Sequence, residues 1–331
     1  MPTNEALLWE GNQDPLSYYT QLKEVNLEKR KQIGNILGQV LPEITDTIPD
    51  TSSDNGENIT FVVIGSDGKN ERHAQSLTEL VMITKQPHAE LRELVTEKLE
   101  LHAQDCALEF SSDGLIDHTV LKDDTPLSYV HGNPRAIYPD FLLNSSLVYG
   151  DHFTHISARQ RILEEMTGND EVSKRIRSYM RKQLSSYRRA IKNGVYSGKR
   201  HFDEAESVVF YDDSQYILGF KISFLRAVQR KLDLLTIDLF SQQDFPISMD
   251  VIQALPTRTL DRMTYLHEAR VLHPQDQTKI DQLKEAYAWF LMMHHRVQDL
   301  YKFSKDLVVM EFDAAQFQHH KEILLTSLLY D

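Results

Sequence analysis

Residues 58–84 read NITFVVIGSDGKNERHAQSLTELVMIT, and their pattern decides the fold class. The run 58–65 is short, continuous and rich in β-branched residues, and it ends in Gly65. That is the pattern of a buried strand. The run 77–84, LTELVMIT, is a second one. Between them lies the turn Gly65-Ser66-Asp67-Gly68, followed by Lys69 and Glu71. A glycine turn directly behind a buried strand lets backbone N–H groups approach a phosphate closely. Ser66 adds a hydroxyl donor and Lys69 a positive charge. Taken alone, the same four residues also make an ordinary tight turn.

Outward from this stretch, residues 15–41 carry Tyr18, Leu22, Val25, Leu27, Ile33 and Leu37 at helical spacing. Residues 45–58 are rich in Pro, Ser, Asp and Gly and read as a loop. Residues 88–104 read as a helix, and 106–110 and 116–121 as short strands. The front of the chain is therefore mixed α and β. Beyond it the strand pattern stops. Residues 159–168, 173–194, 216–240, 259–272 and 279–303 all run at helical periods, interrupted by the two prolines of 242–258. This predicts a helical bundle lined by Leu, Ile, Met and aromatic side chains.

Charge divides the chain in the same place. Residues 1–150 hold 24 acidic and 11 basic side chains, a net of −13, which is the net charge of all 331 residues. The remainder is neutral, with 25 of each sign. Residues 171–200 contain ten Lys or Arg and one acid. An acidic front half repels polyanions at long range, so duplex nucleic acid is not the expected partner. Hydrophobic residues at 41% and charged residues at 26% are ordinary globular values and exclude a fibrous or low-complexity chain. The lone Cys106 excludes an intrachain disulfide and a Cys-based zinc site. No apolar run reaches the ~18 residues of a membrane helix, and the first residues lack a signal-peptide pattern. A soluble, cytoplasmic protein is expected, with signal-less export left open.

The stretch 65–84 resembles the strand–turn–strand signature of the polymerase-β-type nucleotidyltransferases. Most similar are the bacterial uridylyltransferase/uridylyl-removing enzymes of nitrogen regulation and their relatives, the DUF294 nucleotidyltransferases. Gly65, Ser66, Gly68, Lys69 and Glu71 fall on the family's turn, and His73 and Ser76 on its uridylyltransferase branch. Residues 114–121 (GLIDHTVL) are similar to the family's strand ending in His-Ser-Val. Residues 141–151 (FLLNSSLVYGD) are similar to the segment that closes its catalytic domain. Residues 216–232, 257–272 and 283–300 are similar to its helical segments, in the same order. The resemblance spans about residues 58–303. It implies an α+β protein with an N-terminal helix and linker (1–54), a nucleotidyltransferase-like mixed-sheet domain (55–155) and an all-helical bundle (156–331).

In that family two carboxylates, i and i+2 on one strand, share a face and hold Mg²⁺ against a nucleoside triphosphate. Here those positions are Leu77 and Glu79. Leu77 supplies no oxygen, while Glu79 keeps a carboxylate on a longer arm. Glu109 or Asp117 would be the third carboxylate. Mg²⁺ demands near-octahedral oxygen ligands at about 2.0–2.1 Å, so this loss is costly. The resemblance thus implies either a site that binds a nucleotide or a protein partner without transfer, or one in which Asp67 or Glu71 replaces the lost ligand. On the latter reading the chain is an active Mg²⁺-dependent nucleotidyltransferase acting on a protein or small molecule. Catalysis would then rest on Glu79, phosphate binding on Gly65, Ser66, Gly68, Lys69, Lys221 and Arg226, and loop structure on Glu71 and His73. Arg226, Arg230 and Lys231 share one helix; they suit surface salt bridges first, and second a triphosphate met from the helical side. His294-His295 and His319-His320 are adjacent on helices, about 100° apart, and make no two-His clamp. Tyr287, Phe290 and Leu291 read as core.

Overall fold

A computed structural model describes residues 14–45, 59–73, 78–84, 89–106, 116–120, 128–129, 143–168, 171–193, 224–242, 246–273, 276–304 and 314–329. The fold is mixed α+β, with helix predominating among the described residues. The chain forms two compact units. One comprises Leu22–Ile176 and Phe240–Arg258, the other Met1–Gln21, Arg177–Leu239 and Thr259–Asp331.

The first unit holds a five-stranded sheet in the order β4-β3-β2-β1-β5. The strands are β1 (Thr60–Val63), β2 (Leu80–Thr84), β3 (Ile116–Val120), β4 (Ser128–Tyr129) and β5 (Ser146–Tyr149). β1 runs antiparallel to β2, with Val62 opposite Val81, and antiparallel to β5, with Val62 opposite Leu147. β3 joins β2 in parallel, with Val81 opposite Asp117, and β4 closes that side antiparallel. A parallel pair needs a crossover, and helix α3 (Ala89–Cys106) lies in the connection. Phe61, Val63, Leu80 and Met82 pack on one face with α1 (Pro15–Thr45) and α3, through Ile33, Leu37, Val40, Leu41, Ile44, Val95 and Leu99. Every residue of β1 and β2 is buried, which is why both read as continuous apolar runs.

α1 continues past the expected end at 41 and includes Pro42, because Leu41 and Ile44 are held in this core. β2 starts at Leu80 rather than 77; Thr78 makes a single bridge, and residues 74–77 lie outside the described set. Cys106, expected to open a strand, ends α3 instead; 107–110 are not among the described residues. The expected strand at 116–121 is β3.

The Gly150-Asp151 pair ties β5 to α4 (His152–Thr167). Gly150 has φ +98°, and a β-carbon there would collide with the Ile59 carbonyl. Asp151 caps α4, accepting from Phe153 N (3.2 Å), Thr154 N (2.7 Å) and Thr154 Oγ1 (2.7 Å). α4 packs against β1 and β2. Its buried Arg159 donates to the carbonyls of Leu143 (3.0 Å), Ile252 (3.3 Å) and Leu255 (2.7 Å). This guanidinium therefore holds α7 (Met249–Ala254), a helix inside the stretch read as an interruption.

The second unit is helical. α5 (Glu171–Asn193) enters it at Arg177, and α6 (Arg226–Phe240), α8 (Thr259–Glu268), α9 (Gln277–Ser304) and α10 (Ala314–Leu324) follow. Phe224 stacks on Phe290 with centroids 4.1 Å apart, and Phe317 meets both edge-on. Tyr287, Phe290 and Leu291 are buried. The Tyr287 hydroxyl accepts from Gln229 (3.0 Å) and Thr259 (3.2 Å). Asp233 accepts from Arg262 (3.2 Å) and stands 3.8 Å from Arg230. Arg230 thus serves a buried ion pair, not the surface pair expected of it. His294, His295 and His320 are buried, and His295 Nδ1 meets the Tyr18 hydroxyl at 2.6 Å.

Candidate functional site

β1 runs into Ile64 and then a single helical turn, α2 (Gly65–Gly68). Gly65 sits at φ +61°, in left-handed space that a side chain disfavours. The Glu79 carboxylate lies against it, with Oε2 2.7 Å from where a β-carbon would stand. The Ile64 amide donates to the Glu79 carbonyl (3.1 Å), which joins the turn to the start of β2. Gly68 is packed harder: a β-carbon would collide with the Asn144 carbonyl and come within 2.9 Å of the Val63 carbonyl. Ser146 Oγ donates to the Gly68 carbonyl (2.6 Å). The turn closes through Gly68 N to Ile64 O (3.1 Å), Asn70 N to Asp67 O (3.1 Å) and Glu71 N to Ser66 O (2.9 Å).

Beneath the turn the side chains are polar and buried. Asp67, Asn70, Glu71, Arg72 and His73 are each at most 6% exposed. Arg72 donates to Thr78 Oγ1 (2.6 Å) and to Asp67 Oδ1 (3.4 Å). Burial pushes the Asp67 carboxyl up to about 7 against the pull of Arg72 and Lys29, with Glu79 adding to the rise. α1 presents Asn26, Lys29 and Arg30 to this region. Asn26 Nδ2 donates to the Arg72 carbonyl (3.2 Å), and the charges of Lys29 and Arg30 act on Asp67. Burial disfavours the charge on Arg30, and Asp67 opposes that effect. On the β5 side, Ser145 Oγ meets His155 Nε2 at 2.9 Å. Burial, followed by Arg159 and His152, drives the His155 imidazole down to about 3. It is therefore neutral at pH 7.

The expected site residues fall into four groups. Gly65, Ser66, Gly68, Lys69, Glu71, His73 and Glu79 come together around the turn; Glu79 is exposed, Ser66 and Lys69 half-buried. Asp117 stands on β3 in register with Val81, two residues along from Glu79. Arg226 is exposed at the start of α6 in the helical unit. Ser76, Leu77, Glu109 and Lys221 lie outside the described residues. Among the described residues, no group of three or more His, Cys, Asp or Glu side chains is placed to hold a metal ion. None of the described helices is long and apolar enough to cross a membrane.

Sequence reasoning missed Asn26, Lys29, Arg30 and Arg72. A signal existed for the first two. The buried stripe of α1 runs through Leu22, Asn26, Lys29, Ile33, Ile36 and Val40. Val25 and Leu27, expected on that stripe, are only half-buried. Two polar residues at stripe spacing mark the place where the helix faces something other than hydrocarbon.

No family model matches the chain, and no curated protein matches it significantly.

Proposed function

We propose that this chain is a nucleotidyltransferase-like binding protein. On this reading an α/β nucleotidyltransferase-type region (about 55–155) precedes a helical bundle (about 156–331). The Gly65–Glu71 turn takes a nucleotide, or the surface of a protein partner, with weak or no nucleotidyl transfer.

The observation that carries the reading is the fate of the carboxylates around the turn. Asp67 and Glu71, the two that would replace a lost metal ligand, are 4% and 1% exposed, and Asp67 faces Arg72. A buried carboxylate that shares a guanidinium is a poor Mg²⁺ ligand, because the ion would have to displace a charge-assisted hydrogen bond. Among the described side chains, Glu79 is the exposed carboxylate beside Gly65. Among the described residues, Asp67, Glu71 and Glu79 do not fit a Mg²⁺ site, and no catalytic step is routed through one. What the turn retains is binding chemistry: a left-handed glycine, a half-buried serine hydroxyl and the Lys69 ammonium.

The second reading is an active transferase, favoured by the position of Glu79 over Gly65. The two separate in one assay. Protein is incubated with α-labelled ATP, GTP, CTP or UTP, Mg²⁺ and a cell extract as acceptor pool. The binding reading expects no label transferred above that seen with Glu79→Gln. Label that depends on Mg²⁺ and disappears in Glu79→Gln would replace it with the enzyme.

A further inference from the structure

The turn contributes one half-buried cation, Lys69, which is little charge for a phosphate chain. The missing charge stands on α1. Asn26, Lys29 and Arg30 lie at i, i+3 and i+4 and therefore share one helix face. That face is tied to the turn by the Asn26–Arg72 hydrogen bond (3.2 Å) and by the action of Lys29 and Arg30 on Asp67.

The arrangement is electrostatically expensive. Arg72 pairs with the buried Asp67, the charges of Lys29 and Arg30 also act on it, and Glu71 is buried as well, so several ionisable groups share a low-dielectric setting. Three buried atoms there, Arg30 Nε, Asn26 Oδ1 and Asn70 Oδ1, have no hydrogen-bond partner among the described residues. Arg30 is only partly buried, so a ligand can reach it. Of the three unmet atoms, Arg30 Nε is a donor that an anion can meet, whereas the two amide oxygens are acceptors that it cannot; charge held at a cost beside that one unmet donor fits a site completed by an anion.

We propose that the Asn26–Lys29–Arg30 face of α1 is the second wall of the binding site, and that Arg30 contacts the phosphate chain of the ligand. This rests on the nucleotide reading given above. The ligand chemistry is a phosphate chain, either that of a nucleotide or free polyphosphate.

The test is titration calorimetry in EDTA with inorganic tripolyphosphate, ATP and adenosine, on wild type, Arg30→Gln and Arg30→Lys. Wild type is expected to bind tripolyphosphate and ATP and to ignore adenosine. Arg30→Gln should bind each phosphate ligand at least tenfold more weakly, with Arg30→Lys between. The thermal midpoint of ligand-free Arg30→Gln should equal or exceed wild type, because a costly charge has gone; a merely structural arginine would lower it. Equal affinity in wild type and Arg30→Gln overturns the role of Arg30 and leaves the nucleotide reading standing. A wild type that binds neither ATP nor tripolyphosphate overturns both. ATP binding without tripolyphosphate binding overturns the phosphate wall alone.

Discussion

The Oε2 atom of Glu79 lies 2.7 Å from the position a β-carbon on Gly65 would occupy, and the Glu79 carbonyl accepts the Ile64 amide. The head of β2 and the glycine turn therefore behave as one piece. A substitution at Gly65 meets only the far end of a flexible side chain, so Gly65→Ala should cost mainly its left-handed backbone, about 1–2 kcal/mol. Gly68 faces backbone instead, with the Val63 carbonyl at 2.9 Å and Ser145 Cα at 3.2 Å. Gly68→Ala should lower the thermal midpoint markedly more than Gly65→Ala. Equal midpoints in the two variants would show that the turn is not packed as described.

Asp151 accepts three hydrogen bonds at the start of α4. Asp151→Ala should cost about 1–2 kcal/mol in urea unfolding, and Asp151→Asn much less, since asparagine caps nearly as well. A full loss in both variants would assign the effect to charge rather than to capping.

Acid should destabilise the protein, and the sign follows from three groups. His155 and His320 are held down to about 3 and about 4 by burial. Below pH ~6.5 the unfolded chain takes up protons at both while the folded chain does not, so stability falls as pH drops toward 4. Asp67, raised to about 7, works the other way: it keeps its proton in the fold, and its burial costs more as pH rises from about 3.8 to about 7. Two histidines outweigh one aspartate. Urea midpoints measured from pH 6.5 to pH 4.5 should fall, and fall less steeply in His155→Gln. A steeper fall in that variant would contradict the burial of a neutral imidazole.

Much of the sheet was legible in the sequence, and the reason is double burial. β1 and β2 are covered on both faces, so they appear as unbroken apolar runs that need no partner to be recognised. Residues 141–151 were read only by resemblance; the left-handed Gly150 and the Asp151 helix cap come from the structure. The polar wall on α1 was not legible in the same way. Asn26 and Lys29 show in the sequence only as polar breaks at the spacing of the α1 stripe, and that spacing does not say what they face. The burial of Arg72 was hidden for a related reason: its partners Asp67 and Thr78 are close in sequence, but only the turn brings them onto one guanidinium. α7 was missed because flanking prolines mask a six-residue helix, which is held by Arg159, 93 residues before Ile252 and 96 before Leu255 in the chain.

The most direct test of binding without a metal is a calorimetric titration of nucleoside triphosphates into wild type and Glu79→Gln, in EDTA and in Mg²⁺. Without a cation between them, the Glu79 carboxylate repels a phosphate chain seated at the turn, by about 1–4 kcal/mol per unit charge at 4 Å depending on local screening. The account predicts binding that persists in EDTA and tightens several-fold in Glu79→Gln. Binding that requires Mg²⁺ and is lost in Glu79→Gln would contradict it and make Glu79 a metal ligand.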